Sequence, residues 1–312
     1  MPGNDGSGPT GRTITSISVE SDRPHAYMGS MKCAPRFRSA VFFTAALACI
    51  SGYILPASAA EESAWDSGQH WGIRLIAGNA RSDPGAPLRA GIEFRLDTGW
   101  KTYWRYPGDS GVPPVFDFSR SDNVKNVTVL WPAPHRFSDG SGNSIGYERS
   151  AILPLQIWPQ NPATPVTLRL KLDYAVCEKL CVPAEAKAEL TLNKGASAHD
   201  LALSVAEARV PKPASPDGPI SIGAAARDKT ASRPRILVDV AAPAGPLDLF
   251  VEGPTPDWAL PLPEKVEGAP SGQQRFAFDL DGLPAGAKPD GAMLRLTAVA
   301  GDQAIEAGIR LD

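Results

Sequence analysis

From Val166 to Asp173, apolar and polar residues alternate without a break, and the spacing of the apolar side continues to Val176. Val166, Leu168, Leu170, Leu172, Tyr174 and Val176 fall on one side, and Thr167, Arg169, Lys171 and Asp173 on the other. Period two with one apolar side marks a strand half-buried in a sheet. Such a strand needs sheet neighbours, and a second layer over its apolar face. The chain supplies both. Leu88 to Leu96 alternates with Ile92, Phe94 and Leu96 on one face, Val127 to Leu130 runs into Trp131-Pro132, and Ala151 to Trp158 and Ala188 to Leu192 are further strand segments. The 31 prolines in 312 residues are about twice the usual share, which disfavours long helices. Short strands between Gly/Pro turns predict an all-β chain built on a β-sandwich.

One helix is expected, from Ala198 to Val210, with Leu201, Val205 and Ala208 on one face and Leu203 off it. Pro211-Lys212-Pro213-Ala214-Ser215-Pro216 ends it and reads as a linker. Strand patterns resume at Ile236–Val240, Leu247–Val251, Phe276–Leu280, Met293–Val299 and Ala304–Leu311, which predicts a second, smaller sandwich. That unit holds no cysteine and no histidine. Asp257 and Trp258 are its exposed-loop candidates, and packing or docking is its expected role. The expected organisation is an extension with signal peptide (1–60), a first sandwich (61–195), a helix and Pro-rich linker (196–217) and a second sandwich (218–312).

The first 27 residues show no sustained apolar period. Met28 and Met31 each precede basic residues Lys32, Arg36 and Arg38, an apolar run from Ala40 to Leu55, and the small-residue triplet Ala57-Ser58-Ala59. That order fits a cleavable signal peptide, and hence an exported chain, which the family resemblance given below places in the periplasm. A membrane anchor and, through Cys49, a lipoprotein are the alternatives. Cleavage removes Cys33 and Cys49 and leaves Cys177 and Cys181 as the cysteines of an exported chain, in an oxidising compartment. The formal net charge of -3 argues against a nucleic-acid partner.

Cys177-Glu178-Lys179-Leu180-Cys181 lies at the end of the alternating run. An extended strand would hold the two sulfurs too far apart to bond, so a disulfide requires the chain to turn near Val176. Three uses are open: redox exchange, an inert staple and metal ligation. A short loop gives a staple little chain-entropy gain. Zinc lacks enough ligands, whereas Cu(I) could take both thiolates with His135. Lys179 is placed to favour a thiolate and Glu178 to oppose it. A second cluster, Trp100 to Pro114, sets four aromatic residues before a Gly/Pro-rich loop. Trp100 and Trp104 are expected to fill core. Tyr106, Pro107, Gly108, Asp109, Val112 and Pro113 are expected to lie over the cysteine pair and limit access to it, with Phe116 a further contact. Tyr147 and Tyr174 are expected as nearby polar groups.

These residues resemble a family. Tyr174-Ala-Val-Cys177-Glu-Lys-Leu-Cys181-Val-Pro183 is similar to the reactive segment of the periplasmic amino-terminal domain of DsbD-type thiol:disulfide interchange proteins, in particular the copper-sensitivity-suppressor (ScsB-like) branch. Trp100 with Tyr103-Trp104, Pro107-Gly108-Asp109 with Pro113-Pro114, Trp131-Pro132 with Pro134 and Phe137, and Gly146-Tyr147 agree in order and spacing. The resemblance runs from about Trp71 to Leu192. It implies an immunoglobulin-like sandwich whose cysteines, here Cys177 and Cys181, accept electrons from a membrane-embedded cysteine pair and reduce periplasmic thioredoxin-like proteins, as a component of a protein-disulfide reductase without a cofactor. The family pair is more widely spaced than Cys-x3-Cys, which bears on which partner fits. The membrane and thioredoxin domains are not found in this chain, so either a separate membrane donor with a cysteine pair supplies the electrons or the domain has been reused. Copper tolerance through Cu(I) binding, and a non-catalytic envelope interaction module, are the other functions considered.

Overall fold

The computed structural model describes residues 60–79, 85–109, 111–138, 142–192 and 195–311. The expected signal peptide lies outside them. Strands β1 (Asp66–Ser67), β2 (Trp71–Ala77), β3 (Leu88–Leu96), β4 (Lys101–Gly108), β5 (Val115–Asp117), β6 (Val124–Val129), β7 (His135–Ser138), β8 (Asn143–Glu148), β9 (Ser150–Pro159), β10 (Val166–Cys177) and β11 (Cys181–Leu192) form the first sandwich. One sheet has the order β1-β2-β3-β9-β6; the other has the order β11-β10-β4-β8-β7, with β5 also on β10. The alternating run is β10. Its apolar side, from Val166 to Val176, is buried between the sheets against Ile73, Ile92, Phe94 and Leu155. The wet side carries a ladder of ion pairs that includes Arg169–Glu189 and Lys171–Glu185.

Helix α1 (Asp200–Ala208) follows. Its buried residues are Leu203 and Ala206, while Leu201, Val205 and Ala208 are exposed, the reverse of the face expected from the sequence. The cause lies in the sheet beneath. Gly91 on β3 has no side chain, and Leu203 occupies that space; a Cβ at Gly91 would sit 2.7 Å from Leu203 Cδ2. Arg89, buried on the same strand, donates to Glu207 at 2.9 Å, to Ser204 at 3.1 Å and to Asp200, which locks the helix in that rotation.

The second sandwich comprises β12 (Lys212–Pro213), β13 (Ser221–Ile222), β14 (Ala226–Arg227), β15 (Arg235–Ala241), β16 (Leu247–Glu252), β17 (Glu264–Val266), β18 (Gln273–Asp279), β19 (Met293–Ala300) and β20 (Gln303–Arg310). Its sheets run β12-β20-β19-β16 and β13-β15-β18-β17, with β14 also on β15. Its core gathers Val238, Leu249, Val251, Phe276, Phe278 and Leu296. Trp258 belongs to that core rather than to an exposed loop, because its ring packs over Gly253. Phe250 and Leu262 also come from this part of the chain, yet they bury in the core of the first sandwich.

Candidate functional site

The chain turns where β10 ends. Cys177 closes β10, Glu178 to Leu180 form the hairpin loop, and Cys181 opens β11 directly opposite Cys177. This register brings the Cα atoms to 4.2 Å, and the two residues form a disulfide. The geometric requirement read from the sequence is therefore met by a hairpin, with the turn one residue later than Val176.

Alternation decides what surrounds the sulfurs. Val176 faces the core, so Cys177 faces the outer side of its sheet, with its neighbours on β4 and β10. Register pairs Cys177 with Lys101 and Val176 with Thr102. Tyr103, Ala175 and Cys177 form a small buried cluster separate from the main core. The two cysteines differ sharply: Cys177 is 3% exposed, whereas Cys181 is exposed. The Tyr103 hydroxyl lies 2.9 Å from Cys181 Sγ. A disulfide sulfur has no proton, so the hydroxyl donates. Lys101 is buried beside Cys177 on the same face, with its ammonium 5.4 Å from the centre of the Phe137 ring. The Thr102 hydroxyl donates to the Ala175 carbonyl at 3.0 Å and ties β4 to β10 at this point. Around the exposed sulfur, Leu180 is 79% exposed and Val182 45%.

The expected covering residues divide into two groups. Gly111 rests on Tyr103: a Cβ there would lie 2.6 Å from the Tyr103 ring and 2.3 Å from Pro107. Gly111 thus lies against the ring that contacts Cys181, and Val112 and Pro113 beside it are exposed. Tyr106, in contrast, turns away from the sulfurs and donates its hydroxyl to the Leu260 carbonyl of the second sandwich. Burial, and then the charge of Asp109, push its pKa well above the ordinary tyrosine value. Gly108, the last residue of β4, and Asp109 lie against the start of β8 instead: the Asp109 amide donates to the Asn143 carbonyl at 2.9 Å, and the Asp109 carboxylate accepts from the Asn143 amide at 3.1 Å. Phe116 packs edge-on to Trp131.

Tyr174 and Tyr147 share the inner face. Tyr174 lies edge-on to Trp71 and Phe94, and Tyr147 donates to the Pro132 carbonyl at 2.8 Å. Burial holds both phenols neutral far above their ordinary range. Neither reaches the sulfurs, because period two places them on the opposite side of the sheet. Lys179 is exposed in the hairpin loop. His135 is on β7, three strand spacings from β10 through β4 and β8, or about 14 Å. It is not brought to the cysteines, and among the described residues no three His, Cys, Asp or Glu side chains gather as a metal site. Trp104 is fully buried, as expected of a core residue. Tyr103 is the neighbour the sequence did not single out. Its one signal is its place in Trp-Lys-Thr-Tyr-Trp, two positions from Lys101 and hence on the face of Cys177 in a regular strand.

Residues 76–193 match the family model of the N-terminal region of the thiol:disulfide interchange protein DsbD. Among solved structures, the chain is similar to the N-terminal periplasmic domain of ScsB from Proteus mirabilis, with a TM-score of 0.64 and 20% identity over 80% of this chain and 98% of that one. No curated protein sequence matches the chain. Among the described residues no helix is long and apolar enough to cross a membrane. Residues 76–193, which carry the cysteine hairpin, thus match the DsbD N-terminal family model, and over 80% of the chain the fold is similar to that of the ScsB periplasmic domain.

Proposed function

We propose that the chain is a periplasmic thiol–disulfide exchange module in which Cys181 attacks and Cys177 resolves. The carrying observation is the asymmetry of the pair, with one sulfur buried and its bonded partner exposed on a hairpin. Exchange requires the attacking thiolate to reach a partner sulfur in line, which Cys181 can do and Cys177 cannot. In the reduced protein the Cys181 thiolate attacks a disulfide of a thioredoxin-like partner and expels one partner thiolate. Cys177, deprotonated, then attacks Cys181 Sγ and expels the second. Two electrons and two protons pass to the partner, and the Cys177–Cys181 disulfide re-forms. A separate membrane donor with its own cysteine pair returns the electrons.

Tyr103 serves this cycle by donating its hydroxyl to Cys181 while that sulfur carries charge, a stronger bond than to a neutral acceptor. Leu180 and Val182 offer an apolar rim on which a partner can seat. The test is a redox titration of the chain in dithiol–disulfide buffers, read by thiol labelling. A single two-electron transition at a potential accessible to thioredoxin-like proteins supports the proposal. A pair that no dithiol reduces while the protein stays folded overturns it.

A further inference from the structure

Strand β11 ends its sheet: one side pairs with β10, and no described strand pairs with the other. In an antiparallel ladder each residue turns its N–H and C=O to one side, and successive residues turn to opposite sides. Three observations fix which residues of β11 turn outward. On β10, Thr167 exchanges backbone hydrogen bonds with Asp122 and the Arg169 amide donates to the Ser121 hydroxyl, so this series turns away from β11. Its cross-strand pairs, from Thr167 with Thr191 in unbroken register to Cys177 with Cys181, are therefore of the non-hydrogen-bonded kind. The 4.2 Å between the cysteine Cα atoms agrees, since such pairs stand about 4.5 Å apart and hydrogen-bonded ones about 5.5 Å. Third, the Lys187 amide, two steps of the same series beyond Pro183, donates outward to the Asp66 carboxylate at 2.7 Å. Cys181, Pro183 and Glu185 thus turn their backbone groups outward. A proline N–H would have faced outward at 183, so Pro183 takes no bond from the ladder to β10.

We infer that a thioredoxin-like partner docks on this edge as an added β-strand, with an extended segment beside its reactive cysteine pairing along β11 from Cys181 to Glu185. The inference rests on the reading of Cys177 and Cys181 as an exchange pair. Open strand edges invite pairing, and proteins usually blunt them. Here Asp66 takes the outward amide at Lys187, while Cys181, Val182, Pro183 and Glu185 are exposed. The edge is left open where it carries the reactive sulfur. It offers the N–H and C=O of Cys181, the C=O of Pro183, and the N–H and C=O of Glu185, which an extended segment can meet by strand addition. A residue paired with Cys181 on that side stands about 5.5 Å from it between Cα atoms, within the span that a disulfide crosses. Its side chain leaves the sheet on the same face as that of Cys181. Backbone pairing makes no demand on most of the partner's side chains, so one edge can receive different thioredoxin-like proteins.

The experiment is amide hydrogen exchange, read by NMR, on the full chain carrying Cys177→Ser. Cys181 is joined either to a thioredoxin-like periplasmic protein whose second active-site cysteine is replaced by serine, or to cysteamine, which has no peptide bond. In the protein adduct the Cys181 and Glu185 amides should exchange about fivefold more slowly, or slower still, than in the cysteamine adduct. The Lys187 amide, already bonded to Asp66, should not change. Rates at Cys181 and Glu185 that are equal in the two adducts overturn the inference. A second readout compares the rates at which the reduced Cys177→Ser chain reacts with the oxidised protein and with cystamine. Glu185→Pro removes an outward donor, and the ratio of protein rate to cystamine rate should fall about fivefold. Glu185→Gln loses the ion pairs with Lys171 and Lys187 but keeps the amide, and should keep the ratio. An equal fall in both variants assigns the effect to charge and overturns strand addition. A chain that forms no adduct with the protein, although cysteamine joins it, removes the exchange reading and the docking mode together.

Discussion

The two sandwiches apply one folding rule to different ends. In the first, the sheet containing β10 turns one face to the core and uses the other for Cys177, Ala175 and Tyr103, a small cluster apart from the core. In the second, the sheet β12-β20-β19-β16 has packing on both faces. Leu249 and Val251 of β16 enter its own core, while Asp248, Phe250 and Glu252 meet Arg136, Trp104 and Arg105 of the first sandwich. Period two thus leaves each strand a second face, and what fills that face separates a reactive surface from a docking one. A reactive sulfur needs a side that a partner can reach, as Cys181 has, whereas a docking face stays covered.

The comparison predicts unequal consequences. Phe250→Ala is the sharpest attack on the docked face. It empties a fully buried site in the first core from a residue on the second sandwich, and should destabilise the whole chain by about 3–5 kcal/mol in urea unfolding. Two separate transitions, with that of the first sandwich unmoved, would break the picture of one sandwich supporting the other. Tyr103→Phe attacks the reactive face and leaves the packing alone. Losing a hydrogen bond to a charged sulfur, worth about 1.5–3 kcal/mol, should slow disulfide exchange at neutral pH by about tenfold or more with little change in melting temperature. An unchanged rate would remove Tyr103 from the mechanism.

A smaller effect should appear in alkali. Tyr106, Tyr147 and Tyr174 have folded-state pKa values raised above the ordinary 10.0, in each case first by burial. Above that pH the unfolded chain releases these protons and the folded chain retains them. The unfolded state then binds fewer protons, so stability is full below about pH 10 and falls as pH rises towards the folded values. Urea unfolding followed against pH should show this decline, with phenolate absorbance appearing together with unfolding. Phenolates that form in the folded protein would contradict the burial of these three rings.

Much of this was readable in the sequence where structure is local. The face of β10 follows from its alternation, and the cysteine pair stands out because its spacing allows a hairpin. What was not readable depends on partners distant in the chain. The face of α1 is set by the missing side chain at Gly91 and by the Arg89 contacts, so the exposed Leu201 and Val205 gave a misleading pattern. Asp248 and Glu252 look like the solvent side of β16 until Arg136 and Arg105 are seen against them. Tyr106 and Tyr103 are similar in sequence, but the break in the β4–β8 register after Tyr103 sends one to the second sandwich and leaves the other at the sulfur.

Cys181 attacks and Cys177 resolves in the exchange cycle proposed above. Trapping tests it most directly: reduced Cys177→Ser and Cys181→Ser variants are each incubated with an oxidised thioredoxin-like periplasmic protein and resolved on non-reducing gels. Cys177→Ser, with its exposed sulfur intact and its resolving thiol absent, should accumulate a dithiothreitol-sensitive mixed disulfide. Cys181→Ser, left with a buried thiol, should accumulate almost none. A mixed disulfide formed mainly through Cys177, or none from either folded variant, would rule out attack by Cys181.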